Sequence, residues 1–243
     1  MNRAPKKPAD IFPEITEDYR KVFGEDLISL ILYGSGASGE YIPGKSDLNF
    51  LVVLSEGGIG NLEKAIDFVK RWRKRGVTIP LCMTKEDVTS SIDAYPVEFF
   101  TMQLDHITVY GEDVLVGLAF EPGSLRLQVE RELKSKILHL RTCLLDTGGK
   151  SGPVRELIKV SFTAFMSLFK ALLHLKGLAV PRGRREVIRL VAETYSIEAE
   201  IFLKCADIKE GIDRVPASEI LGVCKAYLKE AARLSKIVDG MRL

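Results

Sequence analysis

The chain has 243 residues, of which 46% are hydrophobic and 28% charged. At roughly 150 residues per domain that is about 1.6 domains, enough to bury roughly 70–75% of the unfolded surface without disulfide or zinc staples. This composition excludes a disordered chain, and 35 Lys and Arg against 33 Asp and Glu leave a formal charge of +2, no footprint for a long nucleic acid.

The N-terminal MNRAPKKPAD is basic but lacks a following apolar stretch, so it does not read as a secretory signal. Residues 14–24 carry apolar positions at helical spacing and stop at Gly24. LISLILY, 27–33, is a short apolar run that ends at Gly34 and reads as a buried strand. A polar, glycine-rich connection over 34–46 leads to a second strand, 48–54, whose only polar member is Asn49. Gly57, Gly58 and Gly60 mark a turn before an amphipathic helix over 61–75, with Leu62, Ile66, Phe68, Val69 and Trp72 on its apolar stripe. Two more strands are expected at 77–83 and 106–111. Strands interrupted by helices imply an α/β layer.

From Leu125 onward the pattern is helical only: 125–145, 154–176, 182–194, 197–205 and 217–238, with a break of turn residues over 146–153. The segment 154–176 is apolar over so much of its surface that it reads as the centre of a bundle. The expected domains are 1–121 and 122–243. No apolar stretch is read as reaching the ~18 residues of a membrane span. Cys82, Cys143, Cys205 and Cys224 have no CxxC pairing and read as buried reduced thiols, which points to the cytoplasm.

The segment that carries chemistry is LYGSGASGEYIPGKSDLNFLVVL, residues 32–54. It runs strand, Gly-Ser, loop, then an acidic residue entering a second strand, with eleven residues, 36–46, between Ser35 and Asp47. It resembles the signature of the DNA polymerase β-type nucleotidyltransferase superfamily, a hydrophobic residue, Gly-Ser, a spacer and Asp-x-Asp. In detail it is similar to streptomycin-type aminoglycoside adenylyltransferases and to small stand-alone prokaryotic nucleotidyltransferases. The likeness is strongest over 27–54, weaker to residue 120, and beyond that rests on the helical C-terminal half.

The resemblance implies a short mixed sheet backed by helices, followed by an all-α bundle. It further implies a nucleoside triphosphate, in the first instance ATP, with transfer of its monophosphate to a hydroxyl of a small molecule or protein, and Mg²⁺. Gly34 would let the backbone approach the phosphates, and the amide and hydroxyl of Ser35, with Ser46, would bind them. Asp47 would be the catalytic carboxylate, and Asp47 and Asn49, spaced i, i+2 on one strand face, the metal ligands. The sequence departs from that pattern twice. Asn49 stands where the second carboxylate belongs, and GVTIPLCMT, 76–84, contains no acid. Glu40, Glu86 and Asp87 are the nearby acids that would have to substitute. The alternatives are a pseudo-enzyme that serves as a nucleotide sensor or an antitoxin-like interaction module, and a plain β-turn in which Ser35 and Asp47 cap backbone amides.

Other features are weaker. KRWRKRG, 70–76, could contact RNA with Trp72 as a stacking platform, but Trp72 falls on the apolar stripe and cations favour a helix end. Arg182, Arg184 and Arg185 at a helix start could meet a triphosphate. Glu98 and Asp105 precede or enter the last strand and could face the site. His106, His139 and His174 have no metal-ligand spacing. The expected partners are therefore a nucleotide and a small-molecule or protein acceptor, with no long nucleic acid and no membrane, and a homodimer is compatible.

Overall fold

A computed structural model describes residues 4–242. The chain divides into two compact units, Met1–Ala119 and Phe120–Leu243. In the first unit, helix α1 (Phe12–Phe23) leads through a single 3₁₀ turn to β1 (Leu27–Tyr33). The short helix α2 (Ser35–Ser38) and a loop connect β1 to β2 (Asn49–Leu54). Then follow α3 (Glu56–Ile59), a 3₁₀ turn at Leu62–Ala65, α4 (Ile66–Arg73), β3 (Leu81–Met83), α5 (Lys85–Ser90), α6 (Pro96–Leu104) and β4 (His106–Gly111). The four strands form one mixed sheet in the order β3-β2-β1-β4. β1 is antiparallel to both β2 and β4, whereas β3 is parallel to β2.

Alternation along the strands decides the layers. Leu30 and Leu32 of β1, with Leu48, Phe50, Val52 and Leu54, point to one face and pack with Ile15, Tyr19 and Phe23 of α1 and Phe68 and Trp72 of α4. Ile31, Leu51 and Val53 point to the other face and are equally buried. Both central strands are thus covered on both faces, which is why they read as near-continuous apolar runs.

Several sequence expectations shift. The third strand is shorter than 77–83: only Leu81–Met83 pairs continuously, and Val77 makes an isolated bridge to Leu48. Pro80 between them has no N–H to donate to a ladder. The glycines at 57–60 form the one-turn helix α3, capped by Ser55, rather than an open turn. The expected helix at 61–75 is a 3₁₀ turn joined to a two-turn α-helix. Helices α5 and α6 were not foreseen; α5 carries a capping box in which Thr84 and Asp87 bond each other's backbone N–H, at 2.8 and 2.9 Å.

The second unit is helical: α7 (Pro122–Asp146), α8 (Ser151–Leu175), α9 (Arg184–Tyr195), α10 (Ala199–Glu210) and α11 (Ile220–Asp239). Phe162, Phe165 and Phe169 of α8 are fully buried, and Phe165, Phe169, Phe202 and Tyr227 meet edge to face at centroid separations of 5.1 to 6.2 Å. By length and composition α8 is apolar enough to cross a membrane, contrary to the sequence expectation, because its core-facing side is nearly all Phe, Leu and Ile. That same side forms the centre of the bundle. All four cysteines are free; Cys205 and Cys224 are buried in the bundle, but Cys82 and Cys143 are only partly covered.

The basic run at 70–76 is resolved by burial. Trp72 is 2% exposed, and its indole N–H donates to Asp18 at 2.8 Å. Arg71 pairs with the same carboxylate, while Arg75 lies 2.7 Å from both oxygens of Glu14 and 4.2 Å over the Trp72 ring. Trp72 is a core anchor, not an exposed platform. Trp72→Ala is expected to cost about 3–5 kcal/mol in urea unfolding. Loss of RNA retention without loss of stability would contradict this placement.

Candidate nucleotide site

The site is built where β1 stops. Gly34 has φ 74° and ψ −144°, a conformation closed to side-chain-bearing residues, and its N–H donates to the Asp105 carbonyl at the end of α6, 2.9 Å away. Its carbonyl accepts from Ala37 and Ser38 at 2.9 and 3.0 Å, which closes α2 into one turn. Gly36 is pressed against the sheet: a Cβ there would lie 2.8 Å from Leu48 Cδ2 and 3.2 Å from Leu32 Cδ1. The Ser35 hydroxyl makes no hydrogen bond among the described residues, and the first N–H groups of α2 have no intrahelical carbonyl to reach.

Asn49 stands directly opposite Tyr33 in the β1–β2 register, beside this turn. Its side-chain oxygen accepts from the Thr78 hydroxyl at 3.0 Å. Its amide nitrogen faces Gly34, where an added Cβ would stand 3.7 Å away. Asp47 lies two residues earlier, in the loop ahead of β2, exposed, and makes no hydrogen bond or ion pair among the described residues. It therefore does not cap backbone amides as the plain-turn alternative requires. It is close enough to Tyr41 to help hold that phenol above its ordinary value, an effect led by burial and followed by Asp10 and then Asp47.

Ser46 has a local task. Its hydroxyl accepts from the Ile42 amide at 3.0 Å and its N–H donates to the Ile42 carbonyl at 2.8 Å, closing the loop ahead of Asp47. The structure thus brings Gly34 and Asn49 together, with Ser35 next in the chain after Gly34, and uses Ser46 to close the loop that carries Asp47 into β2. Two residues were missed by sequence reasoning. Thr78 gives no signal in one dimension, because its partner lies across a parallel bridge. Lys45 is an exposed cation beside Ser46 that charge counting alone hides.

Of the substitute acids, Glu40 is half-buried in the loop after α2 and the other two belong to α5. Asp87 is committed to the α5 capping box, and Glu86 is exposed in the first turn of that helix. Among the described residues no group of three or more His, Cys, Asp or Glu side chains could hold a metal ion. One exposed carboxylate and an amide whose oxygen is already bonded do not fit a pair of Mg²⁺ ions. The arginines at the start of α9 are engaged within the bundle. Arg184 meets Glu210 at 3.1 Å, and Arg185 meets Asp207 and Glu210 at 2.6 and 2.9 Å.

Behind the turn, His106 is paired with Tyr33 in the β1–β4 register. Its ring nitrogens lie 3.0 Å from the Gln103 carbonyl and 2.9 Å from the Asp113 carboxylate. Asp113 also accepts from the Leu115 and Val116 amides at 3.1 and 3.2 Å. Burial pushes its carboxyl up, but the His106 bond and these amides outweigh burial and hold it below its ordinary 3.8. His139, by contrast, is exposed and lies against Cys143, one helical turn on, with Sγ 3.4 Å from Nε2.

No protein-family model and no curated protein sequence matches the chain. Among solved structures it is similar to spectinomycin adenyltransferase AAD(9) from Enterococcus faecialis, crystallised with ATP and spectinomycin. The TM-score is 0.60 at 14% identity, over 93% of this chain and 98% of that one. The two chains share a fold. At that identity the likeness establishes the architecture alone, a small mixed sheet with a helical domain.

The depressed Asp113 carboxyl stabilises the fold above its unfolded pKa, and that stability is lost as pH falls through the lower folded value. Asp113→Asn is therefore expected to lower the melting temperature at neutral pH. The gap to the parent should close in strong acid; a gap unchanged by pH would exclude this role.

Proposed function

We propose that this protein is a cytoplasmic, nucleotidyltransferase-like protein that binds a nucleoside triphosphate, in the first instance ATP, at the Gly34–Ser35 turn. It passes the nucleoside monophosphate to a hydroxyl of a small molecule or protein. The observation that carries this reading is the turn itself: the Asn49 amide lies beside a glycine that lets a phosphate approach closely, and the hydroxyl of the next residue, Ser35, makes no hydrogen bond among the described residues. The structural neighbour, solved with ATP and spectinomycin, supports a nucleotide and a small-molecule acceptor as the substrate classes.

In this reading the acceptor oxygen bonds to the α-phosphorus while the α–β phosphoanhydride bond breaks and pyrophosphate leaves. The hydroxyl proton passes to Asp47, whose exposed and unpaired carboxylate is free to take it, and from there to solvent. Gly34 and Ser35 position the phosphates, and Lys45 offsets part of their charge. The donors present give no basis for a step through paired metal ions.

A second reading is a nucleotide-binding protein without transfer, a sensor or an antitoxin-like interaction module. It is favoured by the bond between Asn49 and Thr78 and by the absence of any acid over 76–83. Calorimetric titration with ATP, followed by transfer of label from α-labelled ATP to spectinomycin and other hydroxylated compounds, separates the two. If the enzyme reading holds, Asp47→Asn should lower transfer by at least about 100-fold and change ATP affinity by less than about threefold. ATP binding with no label moved to any acceptor, even by Asn49→Asp, would leave the second reading.

A further inference from the structure

Within the site, the side chain whose chemistry is most constrained is Asn49. An amide has a donor end and an acceptor end, and which end faces a ligand decides what the ligand can be. Thr78 settles this. Its hydroxyl has one proton and two acceptors in reach, Asn49 Oδ1 at 3.0 Å and the Leu48 carbonyl at 3.3 Å. The Leu48 carbonyl also receives the Thr78 N–H at 3.0 Å, and the hydroxyl donates to the nearer oxygen, Asn49 Oδ1. The amide N–H₂ is then left facing the Gly34 turn, and glycine there keeps it uncovered, since any Cβ would sit 3.7 Å from that nitrogen.

We infer that Asn49 is an anion-binding residue whose amide N–H₂ donates directly to a phosphate oxygen of the nucleotide, and that Thr78 is the positioning residue that keeps it in that orientation. The inference rests on the nucleotide reading above and deepens it. Two donors adjoin the Gly34 turn, the Ser35 hydroxyl at the start of α2 and the Asn49 amide at the start of β2. Neither needs a bridging cation to meet a phosphate oxygen. The triphosphate is therefore held by neutral donors, and its affinity does not depend on divalent cations bound by this pair of strands.

The experiment is ATP titration of the full chain in EDTA and across a range of free Mg²⁺, for the parent, Asn49→Asp, Asn49→Ala and Thr78→Val. Circular dichroism and the melting temperature check that each variant folds. The parent should bind ATP in EDTA, with a dissociation constant that Mg²⁺ changes by less than about threefold. Asn49→Ala should weaken binding by about tenfold in both conditions, the scale of one hydrogen bond to a charged group. Asn49→Asp should lose at least about tenfold in EDTA, where a carboxylate repels the phosphates, and recover it with Mg²⁺. Thr78→Val should fall between parent and Asn49→Asp in its Mg²⁺ response, because the freed amide can turn its oxygen outward.

A parent that binds ATP only with Mg²⁺ overturns this inference and leaves the nucleotide reading standing, as does an Asn49→Asp variant indistinguishable from the parent. A parent that binds no ATP in either condition removes both.

Discussion

Everything at the site depends on how closely α2 lies on the sheet. Gly36 leaves no room for a Cβ against Leu48 and Leu32, so the turn after β1 is pressed onto the first residues of β2. That contact ties the end of one strand to the start of the next, and with it the approach of Gly34 to Asn49. It also explains why Gly34 must take a positive φ: the chain has to leave β1, reverse over Leu48 and still give its N–H to Asp105. Any other residue at Gly34 would be strained by the positive φ, and a side chain at Gly36 would have to displace Leu48 or Leu32.

The parts of this arrangement that were legible in the sequence are those set by local chemistry. β1 and β2 are apolar on both faces, so their run lengths gave their positions to within a residue, and Gly34 marks the turn because only glycine tolerates it. The long helices α7 and α8 followed from apolar spacing alone. Shorter elements were lost for physical reasons. α5 is held by a capping box rather than by a stripe, and β3 is three residues long because Pro80 and an edge position limit its pairing. A window of periodicity cannot see either.

The site was half legible on the same grounds. Sequence spacing places Asp47 and Asn49 on one strand face, but β2 begins at Asn49 and Asp47 stays in the loop that enters it. Spacing could not say which end of the Asn49 amide would point outward, because that is decided by Thr78 across a parallel bridge, 29 residues away in the chain. The identity of a residue fixes its donors and acceptors; only its neighbours fix their direction. Reading Asn49 as a weakened carboxylate treats it as an oxygen ligand, whereas the fold spends that oxygen on Thr78 and presents the nitrogen.

The overall charge of +2 conceals a related pattern. The arginines that the sequence offers as phosphate ligands are mostly matched inside the fold: Arg71 and Arg75 to α1, Arg184 and Arg185 to α10. Pairing of this kind contributes little to stability at the surface, yet it removes those cations from the pool available to an anionic ligand. At the loop that enters β2 the balance differs, since neither Lys45 nor Asp47 has a partner among the described residues. With the two signs two residues apart, the local field is close to neutral. A triphosphate there would be held by the direction of hydrogen-bond donors more than by net charge, and recognition would be sensitive to the tilt of a single amide.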